Sequence, residues 1–267
     1  MQTSKNKYYW LILFLISLIT LIFCTYHVWY TQTETKNVKK EYETLAHLLQ
    51  TTTEPDKNLK NKSEKVISLH KTDNNNKKAA LKTMSIQNCD FAGWLSIPNT
   101  TIDYPVMQNQ NNYYLSHNFY KQKSRHGVPF LDAACTNNNL DSNILIYGHH
   151  MKDGTMFAGL MKYEQKKYYN THKKITFSTL DESATYKICA VCKIDANVDI
   201  DIFQYLSNQR HQKQFLKLKS MIEQKQLYSC NTKMNQSDKL LTLATCEYSR
   251  KNSRLIIIAK QEESKSE

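Results

Sequence analysis

The stretch LLTLATCEYSRKNSRLIIIAK, Leu240 to Lys260, carries an apolar, β-branched run into a cysteine and opens a second run with an arginine. A cysteine attacks as its thiolate, so a nucleophilic Cys246 needs a base or a positive field beside it. A second stretch, NILIYGHHM, ends a strand-like run from Ile144 to Tyr147 at Gly148 and supplies His149 and His150. Acyl transfer also needs a donor for the oxygen that gains charge, and Arg254 can direct two hydrogen bonds at such an oxygen. The same residues also fit a plainer arrangement: a core cysteine, two surface histidines and a surface arginine at a strand start. Arg250, in the loop before Arg254, competes for the arginine's role.

Other chemistries find less support. His149 and His150 are adjacent, which is poor geometry for two ligands on one ion, and the chain has neither HExxH nor a paired CxxC. Metal catalysis is therefore not expected. Cys189 and Cys192 form one CxxC inside ATYKICAVCKID, a run that reads as a strand. Residues three apart on a strand point to opposite faces, so two buried cysteines are expected there rather than a metal or redox pair. No GxSxG marks a serine hydrolase.

The elements that must position Cys246, the two histidines and Arg254 are mostly strands. TLATC and RLIIIAK read as neighbours joined by the loop EYSRKNS, which brings Cys246 and Arg254 to one groove. FAGWLSIPNTTIDYPVMQ supplies two more strands around PNT, and GVPFLD, NILIY, KITFST and ATYKICAVCKID supply others. TMFAGLMKYEQKKYYNTH reads as one or two short helices with Phe157, Leu160, Met161 and Tyr163 inward. NQRHQKQFLKLKSMIEQK reads as a helix with Phe215, Leu218 and Ile222 on one stripe. The expected fold is mainly β with inserted helices, and six to eight strands at this spacing suit a closed barrel.

The N-terminal part has a different character. Tyr8–Tyr30, YYWLILFLISLITLIFCTYHVWY, holds no Asp, Glu, Lys or Arg and has aromatic residues at both ends, as a membrane-spanning helix does. A cleaved signal peptide would need a small-x-small site, and CTYHVWYTQ offers none. Lys5 and Lys7 precede the span, so the expected arrangement is a cytoplasmic N-terminus at 1–7, a single-pass anchor at 8–30 and everything after it outside the cell. Residues 31–84 read as an extracellular stalk: a short amphipathic helix with Val38, Tyr42, Leu45 and Leu49, then a Lys/Asn-rich spacer with room for one weak helix. The catalytic domain is expected at 85–262 and a polar tail at 263–267. The net charge of +12 is compatible with nucleic acid, an anionic membrane or an acidic polymer, but a domain outside the cell has no nucleic acid to bind. Cys89, Cys135 and Cys230 follow no disulfide framework.

Taken together, TLATC, the later arginine and YGHHM upstream resemble the sortases, the cysteine transpeptidases that attach proteins to the cell wall of Gram-positive bacteria. FAGWLSIPNTTIDYPVMQNQNNYYLSHNFY, GVPFLD and NILIYGHHMKDGTMFAGLMKY look like the class B branch, and the likeness runs from about Asp90 to Lys260. Ala244 stands where that pattern often has Ser. The resemblance implies an eight-stranded β-barrel and neither a metal nor an organic cofactor. It implies Cys246 as nucleophile, His149 as the catalytic histidine and Arg254 as the residue holding substrate and oxyanion, with the Glu247 backbone N–H as a further donor. It implies partners of two kinds: surface proteins with a C-terminal NP-x-T-[NGS]-like sorting motif, and the amine of a lipid-linked peptidoglycan precursor. Two alternatives stand beside it. One is a pilin-polymerising enzyme with a lysine acceptor; the polar tail QEESKSE speaks against the class with a second anchor. The other is a surface binding domain that has lost catalysis.

Overall fold

The computed structural model describes residues 2–50, 62–110, 112–133, 135, 143–195, 199, 201–207, 211–246 and 253–263. Eight strands close into a barrel, as expected: β1 (Phe91–Ser96), β2 (Asp103–Met107), β3 (Phe130–Leu131), β4 (Asn143–His149), β5 (Lys174–Ser178), β6 (Ser183–Asp195), β7 (Leu240–Cys246) and β8 (Ser253–Gln261). Their order around the barrel is β1-β2-β3-β4-β7-β8-β6-β5. Most neighbours are antiparallel; β2 and β3 meet in parallel at Met107 and Phe130, and β4 and β7 run parallel along their whole length. Parallel neighbours need a crossover, and between β4 and β7 it contains β5, β6 and every helix between residues 150 and 239.

The sequence explains why β7 and β8 lie at the heart of this arrangement. LLTLATC and RLIIIAK are near-continuous apolar runs rather than alternating ones, as strands covered on both faces are. Leu241, Leu243, Ala244 and Leu255 to Ala259 are all buried. β1 and β2 turn on Pro98-Asn99-Thr100, where Asn99 takes a φ of 61°, a left-handed conformation that Asn tolerates.

The helices differ from expectation in three places. First, the anchor and the amphipathic helix are one element, α1 (Gln2–Gln50). The connecting residues TQTETKN hold no Gly or Pro to break it. It is the one described helix long and apolar enough to cross a membrane, by length and composition. Second, the spacer contains a full helix, α2 (Lys62–Gln87), whose Ala80, Leu81 and Met84 are buried. The chain divides into compact units at 1–41 and 42–267, so the packed unit begins well before residue 85. Its reason is apolar spacing: Leu81 and Met84 are three apart on one helix face. Third, Phe157–Glu164 is a 3₁₀ helix, followed by α3 (Lys166–Thr171). With three residues per turn, Phe157, Leu160 and Tyr163 share the buried face and Met161 falls off it. Between β6 and β7 lie α4 (Asp201–Ser207) and α5 (Gln212–Lys225), whose Leu218 and Ile222 are buried as expected.

Candidate active site

Three neighbouring strands bring the candidate residues into one row. In the parallel β4–β7 pair, Tyr147 aligns with Ala244, Gly148 with Thr245 and His149 with Cys246. In the antiparallel β7–β8 pair, Cys246 aligns with Arg254. Adjacent strands are about 4.8 Å apart, so Cys246 sits between the histidine and the arginine, with each a single strand spacing away. His150 lies one residue beyond the strand and forms a backbone bridge with Met156 instead. Of Cys246 the backbone alone is described; Glu247 and Arg250 lie outside the described residues.

Gly148 permits this strand end. A Cβ there would meet the ring of Phe157 at 2.7 Å, and Phe157 is fully buried. The glycine of YGHH is therefore a site of close approach, not of unusual backbone.

His149 is oriented by a carbonyl. Its Nε2 lies 2.7 Å from the Leu115 oxygen. A carbonyl only accepts, so Nε2 carries the proton and Nδ1 is the basic nitrogen of the neutral ring. That Nδ1 is buried and has no hydrogen-bond partner among the described residues. Leu115 ends a short 3₁₀ turn, Tyr113–Leu115. The Val128 N–H donates to the Tyr114 oxygen at 3.1 Å, and Gly127 packs so closely that a Cβ would lie 2.5 Å from the Tyr114 oxygen and 2.9 Å from that of Leu115. The Tyr114 hydroxyl donates to Asp90 Oδ2 at 2.8 Å and so ties the turn to the start of β1. In the loop after β4, Asp153 pairs with the fully buried His126 at 2.7 Å and accepts from the Thr155 backbone and hydroxyl.

Arg254 rests against two rings. Its guanidinium carbon is 5.9 Å from the Tyr147 centroid and 5.5 Å from that of Phe203 on α4. The Tyr147 hydroxyl donates to Asp132 Oδ2 at 2.9 Å, and burial together with the Asp132 charge pushes that phenol's pKa far up.

The four cysteines described as buried, Cys135, Cys189, Cys192 and Cys230, are poor nucleophiles. Burial raises the Cys135 and Cys189 thiols, pushes Cys192 up to about 12 and pushes Cys230 up to about 11. The expected burial of Cys189 and Cys192 holds: both are under 9% exposed. Among the described residues, no three of His, Cys, Asp and Glu converge where they could hold a metal ion.

Sequence reasoning found the row but not its supports. The Leu115 carbonyl has no side-chain signature, and Phe203 lies in a segment, residues 195–239, notable in sequence only for its helix.

The family model of the sortase domain matches residues 95–262. The chain belongs to the sortase family. Sortase B of Listeria monocytogenes is 37% identical over 169 residues, covering 62% of this chain and 67% of that one. Sortase B of Staphylococcus aureus is 31% identical over 176 residues, covering 65% and 70%. The crystal structure of Clostridium perfringens sortase B matches at 33% identity with a TM-score of 0.60, covering 68% of this chain and 99% of that one. These likenesses put this sortase in the class B branch of a family of cysteine transpeptidases, enzymes that act on surface proteins bearing a sorting motif.

Proposed function

We propose that this sortase cleaves an NP-x-T-type sorting motif after Thr and joins the released carboxyl end to the amine of a lipid-linked peptidoglycan precursor. Cys246 is the nucleophile. Its thiolate sulfur bonds to the Thr carbonyl carbon, the C–N bond breaks, and protonated His149 gives its proton to the leaving amine. In the second step the acceptor amine attacks the thioester, loses its proton to His149 and releases the Cys246 thiolate. Arg254 and the Glu247 backbone N–H stabilise the oxygen that gains charge in both steps. The segment Asp195–Lys239 shapes specificity, and α1 anchors the enzyme to the membrane with its N-terminus cytoplasmic and its catalytic part outside.

The observation that carries this reading is the backbone row His149–Cys246–Arg254 across β4, β7 and β8. The Leu115 carbonyl supports it further, because it leaves Nδ1 as the nitrogen able to exchange a proton. The test is turnover of a fluorogenic NP-x-T peptide with an added amine, the products being identified by mass spectrometry. Cys246→Ala is expected to abolish cleavage, and Arg254→Ala to lower kcat/KM by roughly 10²–10³. Full activity in the Cys246→Ala protein would sink the proposal.

A further inference from the structure

We infer that Phe203 of α4 is a positioning residue for the acyl-transfer reaction, holding the Arg254 guanidinium in place together with Tyr147. The inference rests on the proposed role of Arg254. Three separations define the contact. The guanidinium carbon lies 5.5 Å from the Phe203 centroid and 5.9 Å from that of Tyr147. The two rings are 6.0 Å apart and tilted by 49°. Cation and rings thus form a nearly equilateral triangle, a corner rather than a stack. Each ring turns its electron-rich π system toward a delocalised cation, the geometry in which the ring quadrupole attracts it.

Each member of the corner comes from a different part of the chain. Arg254 is the second residue of β8, Tyr147 is on β4 two residues before His149, and Phe203 comes from the excursion between β6 and β7. Tyr147 is fixed by its hydrogen bond to Asp132 Oδ2, and the Asp132 N–H is in turn bonded to the Leu145 oxygen at 2.8 Å.

An arginine side chain has about 2 kcal/mol of rotamer freedom to lose. An arginine that stabilises a developing charge works best when its donors are already aimed, because no reorganisation is then needed during reaction. The two rings supply that aim. They also make Phe203 a link between the element that shapes the peptide groove and the group that stabilises the reacting oxygen.

The experiment compares Phe203→Tyr and Phe203→Leu in the full chain, reading kcat and KM for NP-x-T peptide cleavage. Leu retains apolar bulk and loses the π face. The expected result is that Phe203→Tyr stays within about twofold of the parent, while Phe203→Leu loses on the order of tenfold, mainly in kcat. The alkylation rate of Cys246 by iodoacetamide is expected to stay unchanged in both, which shows a folded site with its thiol intact. In an Arg254→Ala background, whose residual turnover is followed by mass spectrometry, Phe203→Leu is expected to add no further loss. Equal losses in the Tyr and Leu variants, or losses that multiply in the Arg254→Ala background, would overturn the inference while leaving Arg254 in its role. Undiminished turnover in Arg254→Ala alone would instead remove that role, and the inference with it.

Discussion

At the scale of the residue, the candidate site depends on groups that present no reactive atom of their own. Gly127 has a φ of +57° and sits where a Cβ would press on the Tyr114 and Leu115 carbonyls. Gly127→Ala is therefore expected to displace the oxygen that accepts from His149. It should lower kcat about tenfold while circular dichroism remains that of the parent; an unchanged kcat would separate Leu115 from catalysis. The buried thiols give a second prediction. Cys192 and Cys230 are raised from 9.0 to about 12 and about 11, so above pH 9 the unfolded chain releases protons that the folded chain keeps. Stability is then full below pH 9 and falls as pH rises from about 9 toward 11–12. Denaturant midpoints at pH 8 and pH 10.5 should show this fall, and the fall should be shallower in Cys192→Ala.

At the scale of the element, two parallel strands and one helix matter most. The strand ends were legible in sequence because TLATC, YGHH and RLIIIAK each combine an apolar run with a reactive residue at its border. Register was not, since nothing in the letters says that β4 pairs on one side with β7 in parallel rather than with β5, the next strand in sequence. The 3₁₀ helix at Phe157–Glu164 was also hidden, because a period of 3.0 and one of 3.6 diverge little over eight residues. The packing of α2 is hidden for a different reason: its Lys/Asn-rich composition masks three buried residues near its end. Met84 is 0% exposed, and Met84→Ala is expected to cost about 2–4 kcal/mol in chemical denaturation. A chain starting at Asn88, lacking Ala80, Leu81 and Met84 altogether, should be less stable than one starting at Asn75. Equal midpoints would show that α2 is dispensable to the barrel.

At the scale of the whole molecule, the sequence already distinguished an apolar N-terminal segment from a packed β domain. The exposed side chains of Leu11, Phe14, Ile19 and Phe23 are apolar surface that water disfavours and lipid accepts. The full chain is expected to sediment with membranes and to resist extraction by high salt and alkali; its catalytic part should be cut by protease added to protoplasts. Recovery in the soluble fraction would argue against an anchor in α1. Composition changes near residue 85, yet burial is found well before it, at Tyr42, whose hydroxyl donates to the Gly127 oxygen at 3.1 Å. Composition tracks the average polarity of a segment, whereas packing needs a few apolar side chains at helical spacing.

The parallel pairing of β4 with β7 also bears on the order of events in folding. His149 and Cys246 meet across ~100 residues of intervening chain, and contacts of such long range close late because the loop entropy must be met first. While the chain is still emerging and only its first strands have formed, Cys246 has neither its histidine nor its arginine beside it. Assembly of the row His149–Cys246–Arg254 therefore coincides with closure of the barrel.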